Sequence, residues 1–278
     1  EGSPDNTVNA SHWYDIVTLV TKVFMYPTAI NPFNGRVIEG PEAIQAQYVE
    51  QLDLIKKAAH TLNGGKGAPT LIGEFGIPYD LDQAAAYKAC GADGLIALGG
   101  GSSMDHAKGI GLLVSHDEPL ENYAAITGGA KKIGKIPPLI AIPTTSGTGS
   151  EVSVGLVLVL ENGRKETIVS PNLIPATAIC DPDLTLGLPA GLTAATGMDA
   201  VTHCIESVLS PTVNPPAEGI AYEGVFRAVG NGWLKKAVKD GSDADARWHM
   251  MMASYEGALA FVKGLGGVHA LSHAAGPL

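Results

Sequence analysis

Apolar and polar positions along the 278-residue chain follow two rhythms, and the change comes at Asp181-Pro182. Before it, short apolar runs alternate with helical stretches. QAAAYKACGADG reads as a helix closed by Gly91, LIALGG as a buried strand, and the segment carrying Ala107, Ile110, Leu113 and Val114 as a second helix. LIAIP at 139–143 is the next strand, VSVGLVLVL and KETIVS flank the turn ENGR as a β-hairpin, and PATAICDP holds another short strand. Beyond residue 182, apolar residues recur at helical spacing. PAGLTAATGMDAVTHCIESVLS, AEGIAYEGVFRAVGNGWLKKAVKD and DADARWHMMMASYEGALAFVKG each predict one helical region, and GVHALSHAAG opens a fourth. Met250 to Met252 are expected to fill core, and His249 to be a surface or internally satisfied histidine.

Residues 1–82 have their own character: a strand in SHWYDIVTLV, a Pro/Asn/Gly loop (YPTAINPFNGRVIEGP), a helix with apolar Ile44, Tyr48, Leu52, Ile55 and Ala59, and a strand in TLIGEFGIP. That order is βαβ-like, and both strands end in polar or aromatic residues, where α/β barrels place their active sites. The expected fold class is α/β followed by all-α.

A hydrophobic content of 45% against 17% charged residues suits a packed chain of one large or two ordinary domains. The net charge of −10 disfavours nucleic acid or an anionic membrane as partner, leaving a small-molecule substrate as the expectation and a homo-oligomer open. Cys90, Cys180 and Cys204 are far apart and in no CxxC spacing, so neither a disulfide framework nor a zinc knuckle is indicated, which fits a reducing, cytoplasmic setting. There is no 18-residue apolar run to span a membrane and no basic-then-apolar leader, and the start without Met points to processing or an incomplete chain.

Candidate chemistry concentrates in three places. Asp199 and His203 stand four apart in a helical segment, so their Cβ atoms lie about 5–6 Å apart on one face. His269 and His273 repeat the spacing near the end. Together the pairs suggest a divalent metal held between two helices, the alternative being solvated helical pairs. Gly99-Gly100-Gly101-Ser102 follows an apolar strand and precedes a helix, with Ser102 and Asp105 spaced as in a capping box. Exposed amides and the helix dipole there favour a phosphate, the alternative being a tight turn. The stretch from Thr144 to Glu151, with Thr145 and Ser150, offers hydroxyls and amides to a ribose or a nicotinamide amide, or is simply a flexible loop.

Four ordered motifs, GADGLIALGGGSSMDHAKGI, IPTTSGTGSEVS, TAATGMDAVTHCIE and GLGGVHALSHAAG, resemble the iron-dependent (group III) alcohol dehydrogenases over about residues 82–278. The resemblance implies a partial Rossmann-like cofactor domain at 83–182 and a truncated helical metal-binding domain at 183–278. It implies Asp199, His203 and His269 as ligands of Fe(II) or Zn(II), with His273 in the substrate cleft. It also implies NAD or NADP on Gly99, Gly100, Gly101, Ser102, Asp105, Thr144, Thr145 and Ser150. The activity implied is hydride transfer between a small alcohol or aldehyde and nicotinamide. The family's fourth ligand would stand ten residues beyond His273.

Residues 1–82 instead resemble a βαβ barrel-like fragment of a family-five-type glycoside hydrolase, through His12-Trp13-Tyr14-Asp15 and Gly73-Glu74-Phe75-Gly76. That resemblance implies Glu74 as a nucleophile, although retaining hydrolysis needs a second carboxyl group and the family's Asn-Glu-Pro motif is missing. A chimeric chain, with a glycosidase or a catalytically impaired hybrid as alternatives to the dehydrogenase, is the resulting expectation.

Overall fold

The structure is a computed structural model and describes residues 9–13, 28–30, 36–40, 70–75, 91–160 and 164–275, with positions 43, 46, 84, 87 and 88. Strand β1 (Asn9–Trp13) runs parallel to β4 (Thr70–Phe75), while β2 (Thr28–Ile30) pairs antiparallel with β3 (Val37–Glu39). The stretch read as a Pro/Asn/Gly loop therefore contains strands, and β-branched Thr28, Ile30, Val37 and Ile38 are the residues that favour them. The expected helix from Ile44 to Ala59 falls outside the described residues, apart from helical positions at 43 and 46.

β4 lies alongside β5 (Leu95–Gly99), so the N-terminal strand pair abuts the next sheet. A barrel-like fragment is not shown. In that sheet β5, β6 (Leu139–Pro143) and β9 (Thr177–Ala178) pair in parallel, in that order. Parallel neighbours need a crossover, and helix α1 (Gly101–Ser115) supplies the first, packing on β5 and β6. Ala97, Leu139 and Ala141 of the strands meet Met104 and Ala107 of α1 in one buried layer. The other flank of α1 meets the antiparallel hairpin of β7 (Gly155–Val159) and β8 (Lys165–Val169), with Leu112, Leu120, Tyr123, Leu156, Ile168 and Leu173 buried between. The capping box does not form. Gly100 is the N-cap, without a side-chain bond, Ser102 lies inside the first turn, and Asp105 is used elsewhere.

Beyond Asp181-Pro182 the described chain is helical, as the periodicity predicts. Helices α2 (Ala190–Leu209), α3 (Pro215–Val225), α4 (Trp233–Lys239), α5 (Ala244–Ala260) and α6 (Gly267–Ala275) follow one another. The second predicted region divides because a π-helical turn at Phe226–Gly230 leads to Gly232 at φ 71°, a left-handed conformation that ends the run before α4. Asn214 and Asp243 cap α3 and α5 by accepting from the backbone N–H of Ala217 and Ala246. α2 packs on α5 through small residues, with Val201, Ala246, Met250 and Ala253 in one cluster. Met250 and Met251 are buried and Met252 half-buried, close to the expectation. Cys180 and Cys204 are free, burial pushing the Cys204 thiol up to about 12, and Cys90 lies outside the described residues. Among the described residues no helix is long and apolar enough to cross a membrane.

His249 is internally satisfied. Its ring stacks on Trp233 at 4.1 Å, and its Nδ1 accepts from Arg227 Nη1 at 3.0 Å, which requires a neutral imidazole. Burial lowers its pKa first and Arg227 next, with Lys236 adding to them against the pull of Asp245 and Asp243. A folded-state pKa below the unfolded value of 6.5 means stability present above pH 6.5 is lost as pH falls below it. His249→Gln is therefore expected to flatten the decline of the thermal midpoint between about pH 7 and pH 5.5. Equal declines in the two proteins, followed by circular dichroism, would show that His249 contributes nothing to it.

Candidate metal and cofactor site

Two loops and two helices meet at one place. The first loop follows β5. Gly99 hands its carbonyl oxygen to the Thr144 N–H at 2.9 Å, which ties it to the second loop, after β6. A Cβ on Gly101 would sit 2.5 Å from Thr148 Cγ2, so only glycine permits that approach. Ser150 donates its hydroxyl to Asp105 Oδ1 at 2.6 Å, and Asp105 Oδ2 accepts from Val157 N–H at 2.9 Å. Asp105 thus pins the second loop and β7 to α1, and it and Ser150 are occupied with each other. Burial raises the Asp105 pKa, against the pull of Lys108 and of these two donors. Lys108 is wholly buried, spends its ammonium on the oxygens of Ser153 and Gly155, and is pushed down to about 8 by burial.

The second loop ends against α2. Gly147 offers its carbonyl oxygen to His203 Nδ1 at 3.2 Å, and a Cβ there would meet Thr196 O at 2.5 Å. With Nδ1 so engaged, His203 turns Nε2 toward Asp199, 3.9 Å from Oδ1. His269, one residue pair into α6, stacks on His203 with ring centroids 4.4 Å apart. Its Nδ1 lies 2.5 Å from Glu206 Oε2, and its Nε2, 3.4 Å from Asp199 Oδ1, has no hydrogen-bond partner although buried. One ligand atom from each of Asp199, His203 and His269 lies within 4.8 Å of the others.

The neighbouring charges act differently on the three side chains. Burial holds the His203 pKa below its usual value, so its neutral form, the one with a free lone pair, is favoured. Burial acts to raise the Asp199 pKa, yet the neighbouring histidines outweigh it and keep the carboxylate ionised. The carboxylates of Asp199 and Glu206 raise the pKa of His269. A half-buried His273 stands one turn beyond, its ring edge-on to His269 at 5.8 Å.

Of the residues expected from the sequence, the structure brings Asp199, His203 and His269 together and leaves His273 beside them. Gly100 and Gly101 meet Thr145 and Thr148, Gly99 accepts from the Thr144 N–H, and Ser102 is exposed at the start of α1. Sequence reasoning missed Gly147 and Glu206. Glu206 was detectable, seven residues after Asp199 and three after His203, hence on the same helical face. Glu74 lies on β4 and His12 and Trp13 on β1; their side chains, like Tyr14, Asp15 and Gly76, are outside the described residues.

An α/β half with a glycine loop, followed by a helical half presenting a three-donor cluster to it, defines a recognisable class. Residues 79–182 match the family described as iron-containing alcohol dehydrogenase, and residues 193–277 match its C-terminal part. The chain is 58% identical over 196 residues to 4-hydroxybutyrate dehydrogenase of Cupriavidus necator, covering 70% of this chain and 51% of that one. It is 40% identical over 199 residues to 1,3-propanediol dehydrogenase of Klebsiella pneumoniae, covering 71% and 50%. A solved 1,3-propanediol oxidoreductase superposes with a TM-score of 0.70 at 34% identity, covering 86% of this chain and 68% of that one. Sulfoacetaldehyde reductase from Bifidobacterium kashiwanohense, solved with NAD+, superposes with a TM-score of 0.66 at 25% identity, covering 98% and 70%. The chain belongs to the iron-containing alcohol dehydrogenase family.

The chain spans about half the length of these curated relatives. The sequence matches to the family begin at residue 79, but coverage of 86% and 98% in three dimensions takes in residues before it. β1 and β4, a parallel two-stranded sheet of their own, lie in that N-terminal stretch with β4 alongside β5. The glycosidase fragment and the chimeric chain find no support.

Removing the Asp105 carboxylate leaves the Ser150 hydroxyl and the Val157 N–H without their acceptor. Asp105→Ala is expected to lower unfolding free energy by about 1–3 kcal/mol in urea denaturation. A change within error would show that these two hydrogen bonds do not hold the second loop.

Proposed function

We propose that Asp199, His203 and His269 hold a divalent metal and that the two loops hold a nicotinamide dinucleotide, for hydride transfer between a small alcohol and its aldehyde. The observation that carries this reading is the convergence of Asp199, partly exposed, with the buried His203 and His269, whose Nε2 makes no hydrogen bond, one hydrogen bond from the second loop. Imidazoles and a carboxylate without thiolate suit Fe(II), Zn(II) or Mn(II), and the family favours iron. On this reading residues 83–182 form the cofactor half and residues 183–278 the metal half.

When bound, the ion polarises the substrate oxygen and the nicotinamide, of NAD or NADP, accepts or returns hydride. The chain's own residues do the rest. Backbone amides of Gly100 to Ser102, at the start of α1, suit a pyrophosphate, and Thr144 and Thr145 of the second loop suit the nicotinamide half. Gly147 fixes the tautomer of His203. His273 borders the space beside the cluster and is the side chain proposed to meet the substrate. The relative of 58% identity directs the first trial to 4-hydroxybutyrate and its aldehyde.

The test is direct. Purified protein is loaded with Fe(II) or Zn(II), its metal content measured, and NADH or NADPH consumption followed with that aldehyde and with short unbranched ones. Metal-dependent consumption is expected, with Asp199→Ala and His203→Ala losing both bound metal and turnover. Metal retention unchanged by these substitutions would reject the assignment of the cluster, and no turnover with any metal and aldehyde would reject the activity of this chain.

A further inference from the structure

Glu206 is a buried carboxylate that the proposed chemistry leaves without a task. It sits on α2 three residues after His203, and its side chain is 6% exposed. Oε1 accepts from the Val268 N–H at 2.7 Å, and Oε2 accepts from the Gly266 N–H at 2.8 Å and from His269 Nδ1 at 2.5 Å. Two of these donors are backbone amides at the start of α6, which have no partners within the helix. They account for Glu206 as a helix cap. The third does not belong to the cap, because it is a side chain one position further on and at the shortest distance of the three.

The geometry points to Glu206 as the positioning residue that holds His269 for metal binding, fixing its Nδ1 as donor and its Nε2 as the free lone pair facing Asp199. This rests on the reading of Asp199, His203 and His269 as a metal site. The physical argument has two parts. A metal-binding histidine that donates its second ring N–H to a carboxylate is fixed in tautomer and orientation and made more basic. His203 has only a neutral carbonyl, that of Gly147, in the same role, so the two imidazoles are unequal donors and His269 is the stronger. Charge is the second part. Asp199, partly exposed, and buried Glu206 carry two negative charges, which a divalent cation balances; with Glu206 neutral the loaded site keeps an excess positive charge beside two buried imidazoles, at a desolvation cost.

The lever is also mechanical. Asp199, His203 and Glu206 project from successive turns of one face of α2, so one rigid helix supplies two donors and the anchor of the third. α6 contributes His269, but where its imidazole points is set from α2.

The experiment titrates the 278-residue protein with Co(II), reading the visible d–d absorption and competing the metal off with a chelator. Wild type, Glu206→Gln, Glu206→Asp and His269→Ala are compared, with thermal midpoints measured free of metal. Glu206→Gln keeps the size of the side chain and part of the cap but loses the charge. Its expected effect is about a 10–100-fold loss of Co(II) affinity with an altered absorption band. Glu206→Asp is expected to recover part of the affinity. Affinity within twofold of wild type and an unchanged band in Glu206→Gln, with metal binding still abolished by His269→Ala, would overturn the role of Glu206 and leave the metal site standing. A lower metal-free midpoint with unchanged affinity would likewise reduce Glu206 to a cap. If Glu206→Gln does not fold, wild-type affinity and spectrum in Glu206→Asp overturn the proposal. Absence of Co(II) binding by wild type overturns the metal site and this inference together.

Discussion

The arrangement depends on one face of α2. Residues four and seven positions after Asp199 return to the same side of a helix, and here that side carries an imidazole and a second carboxylate. Three ionisable groups on one stripe, His203 and Glu206 buried and Asp199 partly exposed, are costly to desolvate unless their polar atoms find partners. His203 Nδ1 has Gly147, and Glu206 has three donors. The atoms left over, Asp199 Oδ1 and the two Nε2 nitrogens, point at one another. Their convergence follows from where the Nδ1 atoms of the two histidines are held.

α2 itself needs to be held in place, and its own start does not do this. Pro189 stands at the N-cap without a side-chain bond. Arg247 of α5 supplies the missing fixation: it is 2% exposed and donates to Leu188 O, Thr193 Oγ1 and Gly241 O. One planar guanidinium thereby joins the first turn of α2 to the segment that opens α5. Elsewhere α2 and α5 meet through Val201, Ala246, Met250 and Ala253, and Gly257 lets the backbones come close beside Ala200 and His203. That proximity brings α2 near enough to the second loop for His203 to reach the Gly147 carbonyl.

What the sequence disclosed follows from which interactions are local. The strand–glycine–helix passage around Gly99 and the i, i+4 pair of Asp199 and His203 are written within a few residues of one another, and both were legible. So was the helical run after residue 182, except where Gly232 and the π turn divide a continuous apolar period. His269 and His273 have identical local credentials; spacing could nominate both, and only the fold turns one into the cluster and leaves the other beside it. Asp105 looked like half of a capping box because Ser102 precedes it by three, yet its partners are Ser150 and Val157, more than forty residues away. Such partners are invisible to any local pattern. The strands β2 and β3 were hidden for the opposite reason: proline, asparagine and glycine around them outweighed a few β-branched residues. The barrel reading of residues 1–82 had only two strand ends to go on, and a parallel pair looks the same in a barrel and in an open sheet.

The asymmetry between the two histidines ties the halves of the molecule together. His203 takes its orientation from a carbonyl of the loop after β6, whereas His269 takes its own from a carboxylate on α2. The first anchor belongs to the α/β half and the second to the helical half. Gly147 lies so close to α2 that a side chain there would strike Thr196, and the loop is clamped on its other side by Ser150 and Asp105. The His203 ring is held further by its stacking on His269 and its packing against Phe261. The loop and the cluster are thus joined by the Gly147–His203 hydrogen bond, beside the close approaches of Gly147 to Thr196 and of Gly149 to Ala258.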